Sequence, residues 1–275
     1  MIAATPDPVL CSVNRVLAQA LSRALRDTCG TSSPSDNKTL NGELISAAWA
    51  VLADEFGDLR PESLGLGETA PHRDHARGLI DWLALNPRER DIASQDIFGL
   101  VMSKECPPNE TEYCHWKDPT YRANQLADIA GFYSAFGVEP SQDDPERPDH
   151  ISLELEFVGF LNARLAAHER EQDERLQTDQ DALRAFLRDH VAWWVPTFGQ
   201  LLERHIDRRL NDTTPEHGER LRRLRGVARA LRAWVATQRV ILGEEPSRRI
   251  IAPQVGAPPP EADTDCAACN LSVQS

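Results

Sequence analysis

The stretch Glu146-Arg-Pro-Asp-His-Ile-Ser-Leu-Glu-Leu-Glu-Phe157 decides how the chain is read. Pro148 fixes its own φ and biases Arg147 away from helix, so Arg147-Pro148 marks a corner. Asp149 stands where a carboxylate can cap the free N–H groups of a following helix, with a charge that suits the helix dipole. His150 and Glu154, four apart, then share one helical face. Read alone, this is a well-capped helix start with an ion pair behind the cap. Working outward from it, the pattern on both sides is helical.

Toward the N-terminus, Asp7-Pro8 is a cap followed by proline at a first helical position, and Leu10, Val13, Leu17, Leu21 and Ala24 keep helical period up to Asp27. Residues 30–41 read as a loop. A second helix fits 43–56, with Leu44, Ala48, Val51, Leu52 and Phe56 inward. Helices follow over 72–85 and, after the cap signal Asn86-Pro87, over 88–103. Residues 106–118 are irregular. Asp118-Pro119 opens a helix to about Phe136, ended by Gly137. Beyond the charged loop 139–149 a long helix runs from His150 to about Gln177. Thr178-Asp179 can cap the next, which reaches about Leu210 with a kink or break at Pro196. Pro215 starts the last, to Leu242. Strand alternation is absent over any useful length. The spacing therefore predicts an all-α protein, one globular domain of about eight to ten helices over residues 1–242. Residues 243–275, proline-rich around Ala257-Pro-Pro-Pro260, then acidic and polar, are expected to form a flexible tail.

Composition narrows the function. With 275 residues, 41% of them hydrophobic, the chain can bury a substantial core. Its 43 acidic residues against 30 basic give a formal charge of −13, which argues against nucleic acid as a partner, because phosphate contacts need clustered cations. The charge is uneven. Residues 139–190 hold 14 Asp/Glu and 6 Lys/Arg, whereas 201–250 hold 12 Arg and 7 Asp/Glu. An acidic surface suits a partner that presents positive charge, although solvated helix faces explain such runs equally simply. No apolar run approaches the roughly 18–20 residues that span a bilayer. Residues 1–25 lack a basic start, and Asn14, Arg15 and Gln19 interrupt any apolar core, so they do not read as a secretory signal. A cytoplasmic protein with reduced thiols is the expectation.

Several segments resemble the TorD/DmsD/NarJ family, cytoplasmic chaperones that mature molybdenum-containing oxidoreductases. They are Leu126-Ala-Asp-Ile-Ala-Gly-Phe-Tyr-Ser-Ala-Phe-Gly-Val138, then Glu146-x-Pro-Asp-His150 running into Glu154-Leu-Glu-Phe157. Upstream, Pro107-Pro-Asn-Glu-Thr-Glu-Tyr113 is similar to the family's Pro-x-x-Glu-x-x-Tyr. Downstream, Phe186 to Phe198 is similar to its late helix ending in Trp-x-Pro-x-Phe. The resemblance covers about residues 105–200 and implies a TorD-like fold and a non-enzymatic role. Such a protein would hold the immature catalytic subunit of a molybdenum bis-pterin oxidoreductase, including its twin-arginine leader, until the cofactor is inserted. It implies no stably bound cofactor, a transient contact with molybdopterin dinucleotide, no membrane insertion, and a monomer or helix-swapped dimer. The residues it points to for partner binding are Glu146, Pro148, Asp149, His150, Glu154, Tyr133, Asp128 and Phe157. Together they suggest an acid-edged groove beside apolar anchors, complementary to a leader with a basic start and an apolar stretch.

Two other constellations carry rival chemistry. Cys266-Ala-Ala-Cys269 is a C-x-x-C pair that could hold zinc or act as a redox couple, with Cys106, Cys114 and His115 the candidates to complete a four-fold site. A metal- or redox-handling protein is therefore the alternative function. His150, Glu154 and Asp149 could also serve as metal ligands or a general acid–base set, but a third firm ligand is missing and the second histidine of an HExxH site is absent. The arginines between Arg220 and Arg239 alternate with Leu221, Leu224, Val227, Leu231 and Trp234, which places most of them on outward faces. A phosphate-gripping use of that face competes with plain solvation.

Overall fold

Local capping chemistry fixes where the helices begin. In the computed structural model Asn41 Oδ1 accepts from Leu44 N at 2.7 Å, Asn86 and Glu89 form a reciprocal capping box, and Thr214 Oγ1 accepts from His217 N ahead of Pro215. The structure describes residues 7–26, 41–99, 105–114, 119–139, 146–171 and 175–246. Among these, nine α-helices and no strands occur, so the all-α expectation is borne out. They are α1 Pro8–Arg26, α2 Gly42–Phe56, α3 Asp74–Leu83, α4 Pro87–Phe98, α5 Pro119–Ala135, α6 Ile151–Glu171, α7 Leu176–Phe186, α8 Val195–Arg209 and α9 Pro215–Leu242. The proline-rich segment and both cysteines of the C-x-x-C lie outside the described residues.

The spine is α9, 28 residues and so about 42 Å long. Its Leu221, Leu224, Leu231 and Trp234 are fully buried, and it packs against α3, α8 and α4. The second principal pairing sets α1 along α6. Ser22 on α1 donates to the Ser152 carbonyl at the start of α6 at 2.8 Å, and Gln238 on α9 donates to Asn14 on α1 at 2.6 Å. The two layers share one core, in which Trp49, Trp82, Trp194, Trp234, Phe186 and Phe198 are the largest fully buried side chains. Indole N–H groups find backbone partners where they can, Trp49 on the His72 carbonyl and Trp82 on that of Ala24.

Where α3 crosses α9 the backbones touch. A Cβ added to Gly78 would sit 2.6 Å from the Gly226 Cα, and the reverse is equally true, so glycine on both helices permits the approach. The connection between α2 and α3 is held down by α9. Arg239 reaches Glu68 with two bonds of 3.0 and 2.9 Å, and Arg232 donates to the Gly67 carbonyl. Gly67 itself has φ +82° and lies against the Pro196 carbonyl. Arg239 is therefore an inward-facing residue with a structural partner, unlike the outward arginines of α9.

Two sequence expectations need correction. The long helix expected over 150–177 is described over Ile151–Glu171, and a separate helix, α7, begins at Leu176 after Arg175, ahead of the anticipated Thr178-Asp179 cap. Asp179 instead takes a two-bond clasp from Arg164 of α6, at 2.8 and 3.1 Å. The interruption assigned to Pro196 falls just before it. A π-turn over Leu187–Val191 and the turn 192–194 separate α7 from α8. Pro196 then occupies the first turn of α8, where its missing N–H costs nothing.

Candidate functional site: a buried polar bend

The Arg147-Pro148-Asp149-His150 corner forms as the sequence suggests, with His150 N donating to the Arg147 carbonyl at 3.0 Å. Its polar groups turn inward. The segment Pro107–Tyr113 runs beside it, and Asn109 and His150 make an isolated antiparallel bridge. Glu110 N donates to the Asp149 carbonyl, and Ile151 N to that of Pro108, each at 2.9 Å. Asp149 is fully buried. Its carboxylate accepts from Thr111 N at 3.1 Å, Thr111 Oγ1 at 2.8 Å and Asn109 Nδ2 at 3.3 Å, and from Arg147 Nε and Nη2 at 3.0 and 2.9 Å. Asp149 thus staples two chain segments together and does not cap α6. The cap comes from His150, whose Nδ1 accepts from Ser152 N at 3.3 Å and meets the Ser152 hydroxyl at 2.8 Å. With Nδ1 accepting, the ring proton sits on Nε2, a buried atom with no hydrogen-bond partner.

Behind the bend lies a carboxyl pair. Glu110 and Glu154 are both fully buried, and the charge of Glu110 bears on the Glu154 carboxyl. Glu110 accepts from Trp193 Nε1 at 2.7 Å and Gln125 Nε2 at 2.9 Å, and its other oxygen lies 3.2 Å from His190 Nδ1. Glu154 accepts from Trp194 Nε1 at 3.1 Å. The far nitrogen of His190 is 3.3 Å from a carboxylate oxygen of Asp128, whose side chain is 62% exposed. A polar path therefore leads from solvent at Asp128 through His190 to the paired carboxyls.

Burial pushes the Glu154 carboxyl well above the usual carboxylate range, helped by the charges of Glu110 and Asp149 and opposed by the Trp194 hydrogen bond. Burial likewise lowers the His150 imidazole, against the pull of Glu146 and Asp149. The two act on stability with opposite signs. Glu154's contribution is complete below its unfolded value of 4.5 and is lost as pH rises through its raised folded value. His150's is complete above 6.5 and is lost as pH falls through its lowered one. Between 4.5 and 6.5 they oppose each other, and only Glu154 gives a fall in stability with rising pH. We expect the Glu154 contribution to fall by up to about 1.4 kcal/mol per unit as pH rises from 4.5 toward its raised value. Urea unfolding between pH 5 and 8 checks this: Glu154→Gln should flatten the alkaline limb, and an unaltered limb refutes the assignment.

The structure sorts the residues singled out from sequence. Tyr133, Asp149, His150, Glu154 and Phe157 are buried, and Tyr133 O–H donates to the Pro148 carbonyl at 2.9 Å. Tyr133 and Phe157 pack ring to ring at 4.9 Å, and Phe157 on Phe186 at 4.8 Å. Phe132, half-buried, joins them. The anticipated apolar groove is thus a filled aromatic core. The expectation of an open acid-edged crevice is corrected, because the polar groups of the bend are consumed satisfying one another and the 109–111 backbone. Glu146 and Pro148 are half-buried, Arg147 half-exposed, and Asp128 exposed. Residues 140–145 of the acidic loop lie outside the described residues. Glu110, Gln125, His190 and Trp193 were not singled out, although Glu110 and Trp194 stand at letters of the quoted Pro-x-x-Glu-x-x-Tyr and Trp-x-Pro-x-Phe patterns. Cys106 is buried and Cys114 half-buried, and no group of three or more metal-type side chains occurs among the described residues.

Every member of this cluster falls within residues 73–200, the segment that matches the family model described as nitrate reductase delta subunit. Over that segment, just under half of its length, the chain is similar to this family, which bears out the resemblance to molybdoenzyme maturation chaperones. Three relatives are similar over parts of their length. A chlorate reductase assembly chaperone protein of Ideonella dechloratans is 35% identical over 124 residues, 45% of this chain and 55% of the relative. A selenate reductase assembly chaperone protein of Thauera selenatis is 34% identical over 113 residues, 34% of this chain and 57% of the relative. A perchlorate reductase assembly chaperone protein of Dechloromonas aromatica is 35% identical over 75 residues, 27% and 33% of the two chains. The chain thus spans little more than half the length of the first two relatives. No solved structure matches it.

Proposed function

We propose that this protein is an assembly chaperone that binds the immature catalytic subunit of a molybdenum bis-pterin oxidoreductase, including its twin-arginine leader, and releases it once the cofactor is in place. The observation that carries this reading is the coincidence of the family-matched segment with the buried polar bend: the segment that matches the family model contains Glu110, Asp149, His150, Glu154 and His190. Work of this kind is binding without turnover. A protein that prefers the open conformer of its client holds it by mass action and lets go when closure removes the preferred surface. The cytoplasm is the compartment the reading requires, and among the described residues no helix is long and apolar enough to cross a membrane. Passing contact with molybdopterin dinucleotide during transfer belongs to the same proposal.

The buried residues serve this function from inside, by fixing the corner. The contact surface in this reading is what the corner presents: Glu146, Pro148, Arg147 and, from α5, Asp128. Acidic groups at such a rim steer a basic leader and set its register. Co-purification of the client subunit from the native host tests the function itself, and a subunit that matures equally well without this protein overturns it. For the surface, Asp128→Lys with Glu146→Lys should weaken binding of a synthetic leader about tenfold, mainly through a slower on-rate. Unchanged association kinetics would move the contact elsewhere.

A further inference from the structure

Helix α4 is held to the molecule by charge more than by apolar contact. Its buried residues are Arg90, Ala93, Ser94, Ile97 and Phe98, of which only Ile97 and Phe98 are large and apolar. Ile92 is exposed. Ser94 Oγ is buried without a hydrogen-bond partner among the described residues, a cost incurred whenever the helix is seated. Asn86-Pro87 bounds α4 on one side and Gly99, at φ +75°, on the other.

The charged ties lead to the corner where α8 ends and α9 begins. Asp96 accepts from Arg209 Nε at 3.1 Å, and the same carboxylate lies 3.1 Å from His217 Nε2. Glu89 stands 3.7 Å from Arg220. Beyond α4, Glu105 is clasped by His205 and Arg208. Phe98 adds an apolar contact, stacked on the fully buried Phe198 of α8 with ring centroids 6.4 Å apart. The body's side of the contact is thus an apolar face rimmed by Arg208, Arg209 and Arg220, with His205 and His217 beside them. Its own acids are Glu216, 2.6 Å from Arg220, and Asp212, whose charge reaches Arg209. Lifting α4 removes the carboxylate that Arg209 and His217 share.

We propose that this face of α8 and α9 is a docking site for an acidic, apolar helical segment of a partner polypeptide, and that α4 is its built-in occupant, displaced when the partner binds. The recognised chemistry is written on α4 itself. Glu89 and Asp96, seven positions apart, share one helix face, and Ile97-Phe98 follow directly. A partner helix with the same pattern meets the same guanidinium groups and the same Phe198 ring, the helix-in-groove mode of recognition. The rim selects by charge, since it attracts carboxylates and repels a basic segment. Because α4 is tethered in place, a partner binds with its affinity reduced by the fraction of molecules in which α4 is lifted. The site uses other side chains than the polar bend and the opposite charge from a twin-arginine leader, so it stands or falls apart from the chaperone reading.

A fluorescently labelled synthetic peptide of residues 86–99, titrated into the full chain and followed by anisotropy, tests it. Glu89→Gln with Asp96→Asn in the chain loosens its own α4 and should tighten peptide binding about tenfold over the parent. Adding Arg209→Gln should abolish that gain, whereas adding Arg60→Gln, exposed and paired only with Glu62, should leave it intact. A peptide carrying Asp96→Asn and Phe98→Ala should bind about tenfold more weakly than the unaltered one. Hydrogen exchange gives a readout that needs neither peptide nor variant. In the parent chain the α4 amides should exchange about tenfold faster than those of α9 around Leu231, and in the loosened variant faster again with α9 unchanged. Equal protection of α4 and α9 in the parent overturns the displaceable occupant. Faster α4 exchange in the variant without tighter peptide binding overturns the docking site.

Discussion

Asp149→Ala should lower the unfolding free energy by about 3 kcal/mol, because it strands the Thr111 N–H and the Asn109 amide, each a buried donor costing about 1–3 kcal/mol when left without an acceptor. For a chain of this length that corresponds to a fall in melting temperature of about 6–12 °C. Arg147, partly exposed, can turn to water and adds less. This reverses the expectation from sequence, in which the Asp149 and His150 side chains belong to the partner-binding surface. Asp149→Asn is the sharper probe. It keeps the shape and one acceptor oxygen but points an N–H₂ at donors, so it should recover little of the loss. Thermal melts of the two variants decide the matter: a parent-like melt for Asp149→Ala would mean that the carboxylate is not the staple described.

Arg239→Met should cost about 3–5 kcal/mol, the range for breaking one side of a buried ion pair. Glu68 would be left with its side chain nearly inaccessible and, among the described residues, only the Gly65 N–H, at 2.6 Å, to stabilise its charge. Removing both partners avoids that stranded charge. Glu68→Leu with Arg239→Met should therefore regain most of the stability, since apolar replacement of a buried pair is often neutral. Denaturant titrations of the two single variants and the double one give the coupling directly. Additive losses would show that the pair does not act as a unit.

Elements bounded by local chemistry were legible in the sequence. Pro215 to Leu242 is read to the residue because Thr214, Pro215 and Gly243 each act within a few positions of the chain. Asn86 identifies the start of α4 for the same reason. The turn at 192–194 was displaced onto Pro196 because proline is a conspicuous breaker, yet at the start of a helix it is harmless. At the candidate site, the identity of the corner was legible but its facing was not. Whether Asp149 points outward or inward depends on Thr111, 38 positions away, and the fate of Glu110 on Trp193, 83 away. Periodicity carries no information at those separations. The apparent anchors Tyr133 and Phe157 illustrate the same limit: aromatic residues flanking a polar motif look alike whether they line a groove or fill a core.

The bond between Ser22 and Ser152 joins residues 130 positions apart. At about 5–20 residues per second of synthesis, α1 leaves the ribosome roughly 7–26 seconds before its partner α6 is made, and longer still before α9. The part of its apolar stripe that faces α6 is uncovered throughout that interval. Translation speed and nascent-chain binding factors should therefore govern how much of this protein reaches its native form in the cell.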